Sequence, residues 1–416
     1  MYHPNFYKEI WRYFKDWIVN YAFTHIEADG AVRDLLFVTT TQNNTRSLKP
    51  IWSQLDKHSF SVIGAENERD IPYYRWKLVA GYSLLYLYPL LKCYRNASDW
   101  EKQIMRNDSY PFFMTMGVMK LTDRLMARNH IRLAVMANDH APIQMAWKVL
   151  APSHNVQTMY LQHCSVTEKF PPLQFTYSFL DGEESLEKYL HIGDTKGTIY
   201  VSGSPRFDSV NDYYMSRKPT DKIGLAINEE DRESLVMDLC EKLHTLGYNQ
   251  IVLRPHPRQT LHEIKWYKEH GVEISNSKVE NPFEYLGRIK VLIASESGIH
   301  LDAAMMGVYS ICYSLTGRKA IDWYSYIKNG LVPNAETETD LIRLLQVENI
   351  PSVDSLRSKA QWYNASYGRD TDGHVGDVLA DFLRHYLEGS IAEFDRKYGF
   401  VIKEQTENYT IKVYDK

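Results

Sequence analysis

Two short motifs carry groups that can hold a phosphate. Arg254-Pro255-His256-Pro257 and Ser295-Glu296-Ser297-Gly298 each follow a hydrophobic run. Prolines on both sides of His256 stiffen its loop and remove competing N–H donors. A fixed imidazole can then donate to a phosphate oxygen. Ser295, Ser297 and Gly298 open the next helix, where hydroxyls and free N–H groups make an anion site. Together with Arg254, Pro257, Glu296 and His300 they form the candidate nucleotide- and phosphate-binding set. The plainer reading makes either serine an N-cap and His256 a turn residue. Two such motifs at strand ends in one half of the chain favour phosphate binding.

A transferase also needs a base for its acceptor hydroxyl, and a carboxylate or imidazole within hydrogen-bond reach serves. Asp139, His163, Glu168, Asp181, Glu183 and Glu184 fall in three loops that follow apolar runs in the first half. Asp181 stands directly after its run and before Gly182. Asp139 can also be read as a helix cap, and Glu183 and Glu184 as first-turn acids favoured by the helix dipole. Lys169 and Arg206 would offset charge in the cleft or face solvent. Asp370-Thr371-Asp372 has the spacing of a cation-holding pair, but it follows no strand, so no metal is expected. The chain has no GxxxxGK[ST], no strand-borne GxGxxG and no GxSxG. P-loop, dinucleotide-binding and α/β-hydrolase readings lose their main support.

These residues need elements to position them. From residue 131 onward strands alternate with helices, the pattern of parallel βαβ units. Runs at 131–136, 156–161, 175–180 and 198–201 read as one series of strands. Runs at 223–227, 250–253, 272–274, 291–294 and 309–313 read as a second. Earlier strands are expected at 34–40 and 60–64, apolar helices over 74–94 and 112–129, and an aromatic helix over 5–22. The polar stretch 211–221 reads as a linker and the tail from 336 as helices. Ligands in such sheets bind beyond the carboxyl ends of the strands, so a cleft between two domains would collect both motif sets.

Composition narrows the class. The 416 residues suit two to three domains at about 150 residues each. A hydrophobic fraction of 44% excludes a disordered chain. Lys plus Arg total 48 against 52 for Asp plus Glu, which argues against a basic nucleic-acid binder. The 4 cysteines form no CxxC pair, which fits a reducing compartment and excludes a zinc ribbon. The longest uncharged apolar run, Leu78 to Leu91, contains Pro89 and is shorter than the roughly 20 residues of a spanning helix. The many aromatic residues crowd before Trp100. They read as an acceptor or membrane-docking surface, or as an aromatic-rich core.

In the stretches Tyr160–Pro172, Phe179–Tyr189, Val201–Asp208, Leu253–Arg258 and Ser295–Gly307 the chain resembles GT-B glycosyltransferases of bacterial surface polysaccharide. That group includes CDP-glycerol-type polyol-phosphate transferases, capsule Kdo transferases and bacterial sialyl- and polysialyltransferases. The resemblance implies two Rossmann-like domains with parallel sheets facing an interdomain cleft. An acceptor-side domain would span 1–210 and a nucleotide-sugar domain 222–335. C-terminal helices over 336–416 would cross back to the first domain. His256 and Pro257, with Ser295 and Ser297, match the positions that hold a cytidine nucleotide phosphate in sialyl-type enzymes. Leu180-Asp181-Gly182 lacks the first acid of their acid-acid-Gly motif. His163 matches the base of the polyol-phosphate transferases, but Cys164 replaces the following glycine. The base therefore stays open among His163, Asp181, Asp139 and Glu168.

The resemblance implies a metal-independent transferase without a cofactor. It would move a sugar from a nucleotide donor, CMP- or CDP-linked, to a hydroxyl of a surface polysaccharide or lipopolysaccharide acceptor, lipid-linked or free. Polyol-phosphate transfer, sugar-nucleotide epimerisation and non-catalytic nucleotide or glycan binding are the alternatives. The expected location is cytoplasmic, with peripheral contact at the inner face of the membrane through the aromatic N-terminal segment and no nucleic-acid partner.

Overall fold

The apolar runs become the centres of two sheets. The computed structural model describes residues 32–64, 71–72, 76–107, 109–218 and 220–415. The aromatic helix expected over 5–22 lies outside them. In the first half the strands are β1 (Leu35–Val38), β2 (Phe60–Gly64), β3 (Ile71–Pro72), β4 (Leu133–Met136), β5 (Gln157–Leu161), β6 (Gln174–Leu180) and β7 (Lys196–Val201). In the second they are β8 (Ile223–Ile227), β9 (Ile251–Pro255), β10 (Glu273–Ile274), β11 (Val291–Ala294), β12 (Tyr309–Tyr313) and β13 (Asn334–Ala335). The chain closes with β14 (Phe400–Gln405) and β15 (Tyr409–Tyr414).

One sheet has nine strands in the order β14-β15-β7-β6-β5-β4-β1-β2-β3, and the other six in the order β10-β9-β8-β11-β12-β13. Every pairing is parallel except the β14–β15 hairpin. Buried on both faces, such strands must be apolar throughout. All four residues of β1, β4 and β11 are buried accordingly. Strand order reverses between β1 and β4 in one sheet and between β8 and β11 in the other. These are the switch points where open α/β sheets bind ligands.

The end of the chain completes the first sheet. Helix Val375–Glu388 buries Val375, Val378, Leu379, Phe382, Leu383 and Tyr386, a continuous helical stripe. Gly389 ends it in a left-handed conformation, φ 74°. Phe382 meets Tyr177, Phe179 and Tyr200 edge-on at 4.8–5.6 Å between ring centroids. Phe394, Phe400 and Tyr414 extend the same cluster. These seven rings form an aromatic core between the sheet and the returning tail.

Three sequence expectations need correction. The tail is not purely helical, because it ends in the β14–β15 hairpin with β15 paired to β7. Five of the six β14 residues are exposed and polar or mixed, so that edge strand shows no buried alternation to read. The stretch read as a linker carries helix Val210–Met215, anchored through buried Val210. Helix Gln42–Trp52 was not anticipated, since its sequence is polar and contains Pro50. Thr41 caps it by accepting from the Asn44 N–H, and Leu48, Ile51 and Trp52 turn into the core.

Candidate functional site

A cleft of about 700 Å³ opens between the carboxyl ends of the two sheets. Residues following β1, β5, β7, β8, β9, β10 and β11 line it, so both switch points face one space. From the second sheet come Arg254, His256, Pro257, Lys278 and Ser297. From the first come His163, Cys164 and Arg206, with Asn43, Arg46 and Ser47 of helix Gln42–Trp52.

The second-sheet wall carries cationic and hydrogen-bond-donating side chains. Arg254 is buried and held by Ser275 Oγ and the Glu280 carbonyl, both at 3.0 Å. His256 is 37% exposed, beside Glu229 at 3.3 Å. Partial burial lowers its pKa against the pull of Glu229. Its Nδ1 accepts from the Arg258 N–H, which leaves the other ring nitrogen to donate outward. Exposed Lys278 adds a positive charge.

The first-sheet wall holds desolvated acid–base groups. Burial pushes the His163 pKa down to about 4 against the opposing pull of Asp139, so the ring is neutral, and its Nδ1 has no partner. Burial pushes the Cys164 thiol up to about 12, which removes it as a nucleophile. Arg206 lies 3.5 Å from Asp302, and its Nε and one Nη make no hydrogen bond. Burial opposes its charge, but Asp302 and Asp181 outweigh that and raise its pKa. Burial likewise raises Asp181 to about 7, opposed by Arg206 and Ser204. Asp181 is only 2% exposed and stands behind the cleft wall.

Several candidate residues do other work. Asp139 is 1% exposed, with one oxygen on His140 at 2.8 Å and the other accepting from the Tyr189 hydroxyl at 2.6 Å. Both of its carboxylate oxygens are therefore engaged inside the protein. Its neighbour Asn138 serves the backbone, accepting from the Ala141 N–H at 2.7 Å. Glu168 is exposed away from the cleft lining. Glu183 pairs with Lys403 at 2.6 Å. Buried Glu184 pairs with Lys188, whose Nζ donates to the carbonyls of Val166 and Tyr324 at 2.9 and 2.8 Å. This brace ties the first half of the chain to the second.

The serine motif divides in the same way. Ser295 is 3% exposed, donates to Asp231 at 2.6 Å and accepts from the Leu315 N–H at 2.8 Å. Glu296 accepts from the Ile321 N–H at 2.7 Å and also holds the Trp323 N–H. His300 is buried and donates Nε2 to the Ser295 carbonyl at 3.1 Å; burial lowers its pKa to about 4. These three are structural, and Gly298 does not reach the cleft lining; Ser297 does.

Gly182 and Gly203, which look like motif glycines, answer to the returning chain. A Cβ on Gly182 would sit 2.4 Å from the Trp362 carbonyl oxygen. One on Gly203 (φ 88°) would meet Ser366 Oγ at 2.4 Å. Asn43, Arg46, Ser47, Lys278 and Asp302 escaped the sequence reading. The run Thr39-Thr40-Thr41 after β1 was the available signal, a capping pattern at a strand end. Among the described residues no group of three or more His, Cys, Asp or Glu is arranged to hold a metal ion. Asp372 of the DxD instead accepts from the Gly368 N–H at 3.0 Å.

Two Rossmann-like domains whose parallel sheets face one cleft define a GT-B-like α/β protein. Solved structures share this architecture. One is a UDP-N-acetylglucosamine 2-epimerase, 12% identical over 92% of this chain and 100% of that one, TM-score 0.54. A second is a UDP-GlcNAc 2-epimerase from Neisseria meningitidis bound to UDP-GlcNAc, 13% identical over 85% and 99%, TM-score 0.52. A third is the wall teichoic acid polymerase TagF with CDPG, 13% identical over 93% and 100%, TM-score 0.51. At this identity the likeness is one of fold. No protein-family model matches the chain, and no curated protein sequence matches it significantly.

Proposed function

We propose that the protein is a glycosyltransferase that moves a sugar from a nucleotide donor, CMP- or CDP-linked, to a hydroxyl of a surface-glycan acceptor. One observation carries this reading: a single cleft has a neutral imidazole with an unpartnered Nδ1 on one wall and Arg254, His256 and Lys278 on the other. His256, Ser297 and Arg206 meet the leaving phosphate, whose charge grows in the transition state. His163 accepts the proton of the acceptor hydroxyl. In the free protein His163 is a weak base, and a negatively charged donor beside it raises its pKa. Asp181 acts through Arg206 as a positioning residue. Side chains, rather than a metal ion, offset the phosphate charge. The reaction takes place on the cytoplasmic side of the membrane.

Polyol-phosphate transfer is the second reading, with attack on phosphorus. It is favoured by one fact: His163, not Asp181, lines the cleft. The test is released nucleotide from CMP-sialic acid, CMP-Kdo, CDP-glycerol and UDP-sugars, each with and without acceptor. Acceptor-dependent CMP release from a CMP-sugar supports sugar transfer. Release from CDP-glycerol alone supports the second reading. Epimerisation of a UDP-sugar without acceptor, or binding without turnover on any donor, overturns both.

A further inference from the structure

The apolar run too short to span a bilayer does not all enter the core. It forms helices Trp76–Leu85 and Leu87–Asn96, and helix Asp99–Asn107 follows. Across them Leu84, Leu85, Leu87, Tyr88, Leu91, Trp100 and Ile104 stay exposed, from 43% for Leu87 to 77% for Tyr88. Single exposed apolar side chains are ordinary; seven within residues 84–104 make a patch. Helix Asp99–Asn107 has no buried residue at all. It meets helix Ser109–Arg128 on one side and leaves the rest of its surface open. An apolar groove of about 920 Å³ runs between these helices and the start of helix Ser109–Arg128.

Charge selects the occupant. Residues 84–107 carry Lys92, Arg95, Lys102 and Arg106 against Asp99 and Glu101, a net +2 in a chain of net −4. Glu101 is turned back to cap its own helix, accepting from the Ser98 N–H at 2.7 Å. Lys92 and Arg95 have no ion-pair partner among the described residues. Exposed leucines with Tyr88 and Trp100, and exposed Lys92 and Arg95 in the same stretch, suit the plane of an anionic lipid surface. No helix among the described residues is long and apolar enough to cross a membrane.

We infer that the outer face of residues 84–107 docks in the plane of an anionic membrane. The patch rides on helix Ser109–Arg128, whose Met114, Val118 and Met126 pack into the first-sheet core. Docking therefore holds the first-sheet side of the molecule against lipid. It stands apart from the transfer reaction and holds whichever donor the cleft takes.

Co-sedimentation of the full chain with vesicles tests this. The chain pellets with phosphatidylcholine vesicles containing phosphatidylglycerol and not with pure phosphatidylcholine. Raising salt from about 0.1 to about 0.5 M releases it. The pair Leu91→Glu/Trp100→Glu lowers the partition at least tenfold, about the effect expected for placing two charges in the interface. Lys92→Glu/Arg95→Glu also lowers it, by about tenfold or more, and neither pair changes the circular dichroism spectrum, because all four side chains are exposed. Three results overturn the inference. They are no pelleting of the wild type, pelleting of both variants equal to that of the wild type, and a dimer in sedimentation velocity that Leu91→Glu dissociates.

Discussion

The two walls of the cleft differ in how they treat polar groups. At the ends of the first sheet, Asp139, Gln162 and Asp181 are all 2% exposed or less, and their partners lie inside the protein. At the ends of the second sheet, Lys278 is exposed and His256 partly so, while Arg254 and Ser295 are buried. The difference suits the two tasks that the proposed function gives the walls. Proton transfer needs a group whose pKa burial has moved. Binding a charged phosphate needs donors that water can leave quickly, held by a rigid frame. The sheets themselves differ too. The second is built from residues 223–335, whereas the first needs residues 400–414 from the far end of the chain.

The largest effect expected is on the proton-transfer wall. His163→Asn should lower kcat by about 10²–10⁴ with nucleotide affinity unchanged in calorimetric titration. His256→Ala should instead weaken nucleotide binding along with turnover. If both variants lose the same quantity, the division of labour between the walls is wrong.

Next comes the dependence of the first sheet on the tail. Phe382→Ala removes the ring shared by Tyr177, Phe179 and Tyr200 and should cost about 3–5 kcal/mol. Hydrogen exchange should show the first sheet losing protection while the second keeps it. Uniform loss would mean that the two sheets unfold as one unit.

A smaller effect concerns Asp181. Its folded pKa, about 7, lies above its unfolded value, so the native state holds the proton more tightly. Its contribution to stability is present below pH 4 and is lost as pH rises through about 7, by an amount on the order of a few kcal/mol. Asp181→Asn should remove that decline in urea titrations at pH 5 and pH 8. An unchanged pH slope would show that the carboxylate stays charged against Arg206. The smallest effect is at the Glu183–Lys403 pair, a partly exposed contact. Glu183→Gln should change stability by no more than about 1 kcal/mol and leave turnover intact.

Local patterning reaches a definite depth in this chain. Strands such as β4 and β11 are apolar at every position, and the residues after them are polar, so strand ends and the loops of a parallel α/β fold can be read directly. Arg254, His256, Pro257, Ser297, His163 and Arg206 were legible as cleft groups for that reason. Helix Gln42–Trp52 and the β14–β15 hairpin were not. The helix has a polar sequence broken by Pro50 and strand β14 is mostly exposed, so both owe their place to distant packing.

Residue type at a strand end says that a side chain can do chemistry, not what it touches. Ser295 and Ser297 are two positions apart, yet Asp231, 64 residues away, takes the hydroxyl of one and leaves the other at the cleft. Asp139 is withdrawn by Tyr189, 50 residues on. Gly182 is required by the backbone of Trp362 and Tyr363 crossing over it, and Gly203 by its positive φ and the side chains of Asn364 and Ser366. The periodicity of apolar residues is a short-range property, carried by the chain itself. Hydrogen-bond saturation, burial and the pKa shifts they cause are long-range, and arise only when the tail returns and the two sheets close on one another.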